Sequence, residues 1–221
     1  MTPKQTTFAV KHPQYYLPTG DIVIQVENVL FRLPLATLHA HSPVLRMIVP
    51  PSYGGKLRTT GFDDTSPFRL QGPDPKSFVH LLYIILPTPD TPSLTLLSVD
   101  DWLAVLKLST QYDVPSVPSV ATTYLHILPI DPIRKITLWD SYKLDPALLH
   151  SAYVALCTRA EPLSLQMAMS LGLRTFTKVA AMRDEYHQRA NNTCIRCGGS
   201  CVSAQDKRRI ARDIVSAIMD C

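Results

Sequence analysis

Residues 20–49, GDIVIQVENVLFRLPLATLHAHSPVLRMIV, constrain the fold of this 221-residue chain more than any other stretch. Residues 22–26 place isoleucine or valine at every second position, and residues 29–33 form a second run of β-prone side chains. Glu27 and Asn28 lie between the two runs, and asparagine tolerates the positive φ that a two-residue turn requires. The stretch therefore predicts a β-hairpin.

Two short helices are predicted after this hairpin. Pro34 ends the second strand, because proline has no N–H for a strand ladder and its fixed φ suits a first helical turn. Leu35 and Leu38 follow at helical spacing. Ser42-Pro43 then combines a favoured N-cap with a favoured first helical residue, ahead of an apolar stripe of Val44, Leu45, Ile48 and Val49.

Similar start signals recur downstream. Residues 68–71 predict a third short strand, and Asp74-Pro75 begins a helix whose buried stripe is expected to include Phe78. Ser98 and Asp101 have the spacing of a capping box before a helix that should run to about Tyr112 and bury Leu106. A further helix is predicted over residues 117–128.

Beyond residue 128 the pattern indicates helices alone. Asp131-Pro132 and Asp145-Pro146 repeat the start signal, and a helix opened by Pro162 and Ser164 should end near Gly172 in a left-handed C-cap. Residues 173–190 predict one more helix. We therefore expect an α+β fold, a small sheet covered by helices, followed by an all-helical extension. The expected divisions are a flexible lead-in (1–18), the α+β domain (19–128), the helical extension (129–190) and a cysteine-rich loop with a final helix (191–221).

Composition limits the class of protein. The chain is 46% hydrophobic and 18% charged, which is typical of a globular protein. Its net charge of +4 is too small to indicate nucleic-acid binding. No apolar run approaches the roughly 20 residues of a membrane span. The first 16 residues lack the pattern of a secretory signal, so we expect an intracellular protein of the cytoplasm or nucleus.

Three clustered cysteines, Cys194, Cys197 and Cys201, form the strongest chemical motif. A C-x2-C pair has the spacing that tetrahedral zinc takes, and the two glycines after it would let the backbone bring in the third thiolate. His187 or Cys221 could be the fourth ligand. A loop of reduced thiols and a disulfide remain the alternatives. Cys157, on an apolar helix face, is expected to be an ordinary core residue.

The last helix is predicted to begin at Ser203, which forms capping-box spacing with Asp206. One face is apolar and the other is basic, with Lys207, Arg208, Arg209 and Arg212. A small zinc-bound loop followed by a basic helix can bind nucleic acid. A docked amphipathic helix with a solvated basic face is the more common arrangement, and we favour it.

No combination of residues indicates catalysis. The seven histidines are scattered, and none is paired in the sequence with a nucleophile and an acid. His39 and His41 are two residues apart on a predicted helix and so face different directions. There is no glycine-rich phosphate loop and no H-E-x-x-H motif. We therefore expect no enzyme activity and assign no catalytic or cofactor-binding residue apart from the candidate zinc ligands.

The order of these motifs resembles the BTB (POZ) domain, in the form common in mushroom-forming fungi. The resemblance covers residues 15–128 and extends more loosely to about residue 190. It rests on Gly20-Asp21-Ile22-Val23, Val29-Leu30-Phe31-Arg32-Leu33, Leu38, His41-Ser42-Pro43-Val44-Leu45, Phe68-Arg69-Leu70, Asp74-Pro75-Lys76-Ser77-Phe78 and Trp102-Leu103-Ala104-Val105-Leu106-Lys107-Leu108.

The resemblance implies a protein-interaction module, such as an adaptor for a cullin-type ubiquitin ligase or a component of a nuclear regulatory assembly. Its partners would be other proteins, with a zinc-dependent nucleic-acid-binding protein as the alternative. Many BTB domains carry His-Arg where this chain has Pro34-Leu35, and in dimeric members that basic residue shares a charged pocket with the aspartate that Asp21 matches. Without it, Asp21 is expected to be partly exposed or to accept backbone N–H bonds at the strand start. The homodimer of the family is in doubt for the same reason.

Overall fold

A computed structural model describes residues 9–49, 60–190 and 203–219. Over these ranges the chain is a mixed α and β protein with one four-stranded sheet and a majority of helix, as the sequence predicts at the level of fold class. It divides into two compact units, residues 1–127 and residues 128–221. No helix within the described ranges is long and apolar enough to cross a membrane.

The first unit combines the sheet with helices. In chain order its elements are β1 (Val10–Tyr16), β2 (Ile22–Val26), β3 (Val29–Leu33), α1 (Leu35–His41), α2 (Pro43–Ile48), β4 (Phe68–Arg69), α3 (Pro75–Ile85), a 3₁₀ turn (Leu94–Leu96), α4 (Val99–Tyr112) and α5 (Ser116–Ile127). The strand order is β1-β3-β2-β4. Strands β2 and β3 are antiparallel, while β1 runs parallel to β3 and β4 runs parallel to β2.

The predicted hairpin is confirmed. Val26 pairs with Val29, which leaves Glu27 and Asn28 as the two-residue turn. The positive φ falls on Glu27 (φ 51°) and not on Asn28, where the sequence suggested it. A left-handed residue at the first turn position still matches the right-handed twist of the two strands.

The prediction of a flexible lead-in over residues 1–18 is wrong for residues 10–16, because these residues form β1. This segment is polar and contains Pro13, a residue that sheets accept at an edge. The backbone N–H of Val10 donates to Asn28 O at 2.8 Å, and Tyr15 is completely buried. The strand was missed because its partner β3 lies later in the chain and no local pattern indicates a parallel pairing.

The core of the first unit lies between the sheet and α3, α4 and α5. Phe31 of β3 meets Phe78 of α3 edge to face, with ring centroids 5.0 Å apart. Trp102 of α4 is fully buried and stacks on Tyr124 of α5 at 5.1 Å. Leu106 is 1% exposed. The expected burial of Phe78 and Leu106 is confirmed, and both side chains are central to this core.

The predicted helix caps also form. Ser42 Oγ accepts the N–H of Leu45 at 2.9 Å and donates to the carbonyl of Tyr112, which ties the start of α2 to the end of α4. Asp74 caps α3 by accepting the N–H of Ser77. At α4 the capping box of Ser98 and Asp101 is complete, so three of the helix starts read from the sequence are confirmed.

The second unit is helical throughout its described part. Its elements are α6 (Pro132–Ser141), a 3₁₀ turn (Pro146–Leu149), α7 (His150–Thr158), α8 (Leu165–Ala190) and α9 (Ala204–Met219). Asp131 caps α6, and Asp145 caps the 3₁₀ turn that leads into α7. Helix α8 is interrupted at Gly172 (φ 73°, ψ 156°), where the sequence predicted a helix end. Its φ is positive as expected, but its ψ lies outside the left-handed helical region.

Helices α7, α8 and α9 share one apolar core. Its buried members are Cys157, Met182, Ala211, Ile214 and Val215. The thiol of Cys157 donates to Met182 O at 3.3 Å, and burial raises its pKa to about 11. Cys157 is therefore a core residue, as predicted. The buried guanidinium of Arg183 donates hydrogen bonds to the carbonyl oxygens of Leu156 and Glu161, both at 2.9 Å. It therefore gives hydrogen-bond partners to backbone carbonyls at and after the end of α7.

Candidate protein-interaction surfaces

The carboxylate of Asp21 lies at the start of α1. Asp21 is exposed, and its Oδ1 accepts the backbone N–H of Leu35, the first residue of α1, at 2.6 Å. The neighbouring Arg32 Nε donates to Gly20 O at 2.8 Å. The expected exposure of Asp21 is confirmed, and its carboxylate accepts a backbone N–H as expected, although at the start of α1 and not at the start of the strand. The bond is charge-assisted and lies at a helix N-terminus, where a carboxylate is favourable.

The outer side of α2 presents apolar side chains to solvent. Met47 is 76% exposed and Ile48 is 41% exposed. The turn beside them is held by side chains: Arg46 donates from Nε and Nη2 to His39 O, and His39 Nε2 lies 2.7 Å from Val49 O. We call Met47 and Ile48 the α2 apolar pair. The Met47 thioether is flexible and exposed on a turn that hydrogen bonds hold in place, which is suitable for contact with another protein.

A charged cluster joins α3 to the start of α4. Lys76 Nζ lies 2.7 Å from Asp101 Oδ1, and Nδ1 of the buried His80 lies 3.6 Å from the same oxygen. Burial alone would raise the pKa of Asp101, but hydrogen bonds from Lys76 and Ser98 outweigh it and lower that pKa to about 2. Burial also lowers the pKa of His80, against the opposing attraction of Asp101. Ser98 Oγ also donates to Asp101 Oδ2 at 2.7 Å, so the cluster ties the start of α4 to α3.

A mainly apolar groove lies between α6 and the first turns of α8. Its volume is about 480 Å³, and Ile133, Leu138 and Met167 supply apolar parts of its wall. Asp131 and Arg134 lie at one end, where Asp131 Oδ1 accepts the N–H groups of Ile133 and Arg134. The groove is therefore a cleft within the second unit, large enough for side chains of a partner.

An exposed apolar segment borders this groove. Leu165, Met169 and Leu173 are 78%, 77% and 82% exposed. Leu165 and Met169 are one helical turn apart, and their chain neighbours Gln166 and Ser170 line the groove. We call Leu165, Met169 and Leu173 the α8 apolar segment. Single exposed apolar side chains are ordinary on protein surfaces, but Leu165 and Met169 next to a groove, with Leu173 following after the break at Gly172, indicate a contact surface.

Helix α9 docks through its apolar face, as favoured from the sequence. Ala211, Ile214 and Val215 are buried against α7 and α8, while Arg208, Arg209 and Arg212 are exposed. None of these three arginines forms an ion pair with a residue that the structure describes. The basic face is therefore solvated, and it remains a candidate contact for anionic groups.

The predicted zinc ligands Cys194, Cys197, Cys201 and Cys221 lie outside the described residues. His187, the predicted fourth ligand to which Cys221 is the alternative, is exposed near the end of α8, with its ring 5.6 Å from that of Tyr186. Within residues 9–49, 60–190 and 203–219, no group of three His, Cys, Asp or Glu side chains could hold a metal ion. The cysteine cluster stays a prediction.

No protein-family model and no curated protein matches the sequence. Sequence reasoning missed the α8 apolar segment because it assigned the helix without assigning its faces. The available signal was that apolar residues between 165 and 173 occupy more than one face of the helix, with Leu171 buried and Leu165 and Met169 exposed.

Proposed function

We propose that this chain is a protein-interaction module of the BTB type with a helical extension, acting as an adaptor for a cullin-type ubiquitin ligase or within a nuclear regulatory assembly. One observation carries the proposal. The first unit follows the order of the motifs on which the resemblance rests: a hairpin, two short helices with Ser42 between them, a short strand, and three helices.

Two features of the first unit support binding to other proteins over the homodimer of the family. Asp21 accepts the backbone N–H of Leu35, the residue that stands where dimeric members of the family carry a basic side chain. The α2 apolar pair is exposed on a turn that Arg46 and His39 brace, so it is available to a partner without a change of fold.

The test is affinity purification of the full chain with identification of partners by mass spectrometry. Met47→Asp places a charge in the proposed contact, and Leu96→Asp is the matched control because Leu96 is also 76% exposed in the same unit. We expect a reproducible protein partner that Met47→Asp loses and Leu96→Asp keeps. A chain that retains no partner and instead turns over a small molecule would refute the proposal.

Nucleic-acid binding through the end of the chain is the competing proposal. The observation in its favour is that the exposed arginines of α9 form no ion pair with any residue that the structure describes. The two proposals differ in salt dependence, because phosphate contacts release counterions and give a steep decline of affinity with salt. Gel shifts at two salt concentrations with Arg208→Gln/Arg212→Gln separate them: tight binding that weakens steeply with salt and is lost in this variant would favour nucleic acid.

A further inference from the structure

We infer that His12 is a pH-sensitive latch in the edge strand β1: protonation of its Nδ1 opens the bulge that this nitrogen holds and exposes the buried Tyr15. We call residues 12–15 the β1 bulge. The inference rests on the hydrogen bonds that the His12 ring makes with the backbone of its own strand, and it does not depend on the proposed function.

The β1 bulge interrupts the pairing of β1 with β3. The two strands are in register at Lys11 and again at Tyr16, but between those positions the whole bulge lies opposite Phe31 alone. Pro13 lies within the bulge and has no N–H to donate. The other N–H groups of the bulge therefore find acceptors outside the ladder between the strands.

The side chain of His12 is the acceptor. Its Nδ1 accepts the backbone N–H of Tyr15 at 3.0 Å and the backbone N–H of Gln14 at 3.3 Å. An imidazole nitrogen accepts only while it carries no proton, so these two bonds place the proton of the neutral ring on Nε2. In the imidazolium both nitrogens are donors, and Nδ1–H would then face two other N–H groups. Protonation therefore breaks both bonds.

The surroundings of the ring favour its neutral form. His12 is half-buried, and its ring centroid lies 5.1 Å from that of Phe31 and 5.6 Å from that of Tyr15. Burial alone lowers the pKa of His12 below its ordinary value of 6.5. In the open bulge the ring is solvated, and its pKa returns toward that value. Opening thus takes up a proton as the pH falls below about 6.5, so acid favours the open bulge.

Charged groups hold the two ends of β1 over the same pH range. Lys11 Nζ lies 2.8 Å from Asp64 Oδ2, and the Tyr16 hydroxyl donates to Oδ1 of the same carboxylate. These hydrogen bonds, first that from Lys11, lower the pKa of Asp64, so it stays ionised down to about pH 4. On β3, Arg32 follows Phe31, so its side chain leaves the other face of the sheet, and its Nε donates to the backbone.

Two other segments contact the β1 bulge. Residues 88–91 supply threonine hydroxyls that accept from Gln14 Nε2, and Asp90, the one acid among these four residues, is exposed. From α3, the ring of Tyr83 lies 6.1 Å from the tyrosine ring of the bulge. His80 lies 5.6 Å from Tyr83 between ring centroids and also titrates, so the experiment must separate the two histidines.

Amide hydrogen exchange of the full chain, followed by NMR, tests the inference. Protection factors remove the intrinsic pH dependence of exchange. Between about pH 6.5 and about pH 5, those of Gln14 and Tyr15 should fall by up to about tenfold for each pH unit, because opening takes up one proton. The amides of the β2–β3 hairpin are the internal reference, and their protection should decline less, since acid opens the bulge and leaves the hairpin paired.

Two substitutions separate the acceptor from its titration. His12→Asn keeps a side-chain oxygen that can accept N–H groups shortly ahead in the chain, but this oxygen does not titrate. His12→Asn should therefore keep the protection at neutral pH and abolish its decline in acid, whereas His12→Ala should lose the protection at both pH values. His187→Asn is the matched control, because that histidine is exposed in the other unit.

Nitrogen chemical shifts of the imidazole rings report the tautomer, and neutral His12 should carry its proton on Nε2. A proton on Nδ1, or protection of Gln14 and Tyr15 that does not change in acid, would overturn the inference. So would a decline that persists in His12→Asn and disappears in His80→Asn, since it would belong to His80. If His12→Ala does not fold, the parent chain and His12→Asn still decide the outcome.

Discussion

Asp101 offers the sharpest test of the forces that hold the first unit together. Asp101→Asn keeps an oxygen that can accept the Ser98 N–H but removes the charge that Lys76 faces at 2.7 Å. A pKa lowered from 3.8 to about 2 corresponds to an upper limit of roughly 2.4 kcal/mol of stability near neutral pH. The Lys76 side chain is 72% exposed, so solvent screening should reduce this to about 1 kcal/mol.

The stability difference between the parent chain and Asp101→Asn depends on pH, and the direction follows from the lowered pKa of Asp101. Because folding lowers the pKa of Asp101, the contribution is complete above about pH 4 and is lost as the pH falls toward 2. The stability gap between the parent chain and Asp101→Asn should therefore close over that range. His80, whose pKa burial lowers, destabilises both proteins as the pH falls below about 6.5.

Urea denaturation followed by tryptophan fluorescence measures this gap. The chain has two tryptophans, and a Trp139→Phe background leaves Trp102 as a reporter of the first unit. Lys76→Gln should reproduce most of the loss, since it removes the same pair from the other side. Equal stability of Asp101→Asn and its parent at pH 7, or a gap that persists unchanged at pH 2, would refute the reasoning.

Three further predictions concern the core, the buried thiol and the cysteine cluster. Phe78→Ala and Leu106→Ala should each cost about 2–5 kcal/mol, since both leave cavities in a packed core; an unchanged denaturation midpoint would contradict this. Cys157, whose pKa burial raises to about 11, should resist thiol reagents until the second unit unfolds, which mass spectrometry of labelled protein checks. If the C-x2-C cluster binds zinc, elemental analysis of tag-free protein should find about one equivalent, and Cys197→Ser should abolish it; less than about a tenth of an equivalent in the parent chain would favour free thiols.

The elements that the sequence predicts correctly are those with local causes. The hairpin depends on two neighbouring runs and the turn between them, and the starts of α2, α3 and α4 depend on Ser42, Asp74 and Ser98 within one turn of each helix. Gly172 likewise marks a break that needs only its own backbone freedom, because a Cβ there would meet nothing within 4 Å.

The elements that it misses depend on contacts far along the chain. Strand β1 has no amphipathic pattern, and its place is fixed by Asn28 and Phe31. His12 in that strand stacks on Phe31 at 5.1 Å, which no rule of local spacing indicates. The 3₁₀ turn at Pro146–Leu149, found in place of the first turn of α7, also reflects packing in the second unit, since Asp145-Pro146 starts either kind of helix.

The α8 apolar segment lies beyond both kinds of reasoning, since no burial against the described residues accounts for its apolar character. Residues in a core are apolar because burial stabilises the folded chain, by about 1.5–3 kcal/mol for each large side chain. Leu165, Met169 and Leu173 gain almost none of that energy, because each is more than three-quarters exposed. Serine, lysine or glutamate at these positions would keep the helix and improve solubility. Met169→Ser should therefore leave thermal unfolding unchanged, and a lowered midpoint would show that this side chain contributes to the stability of the second unit.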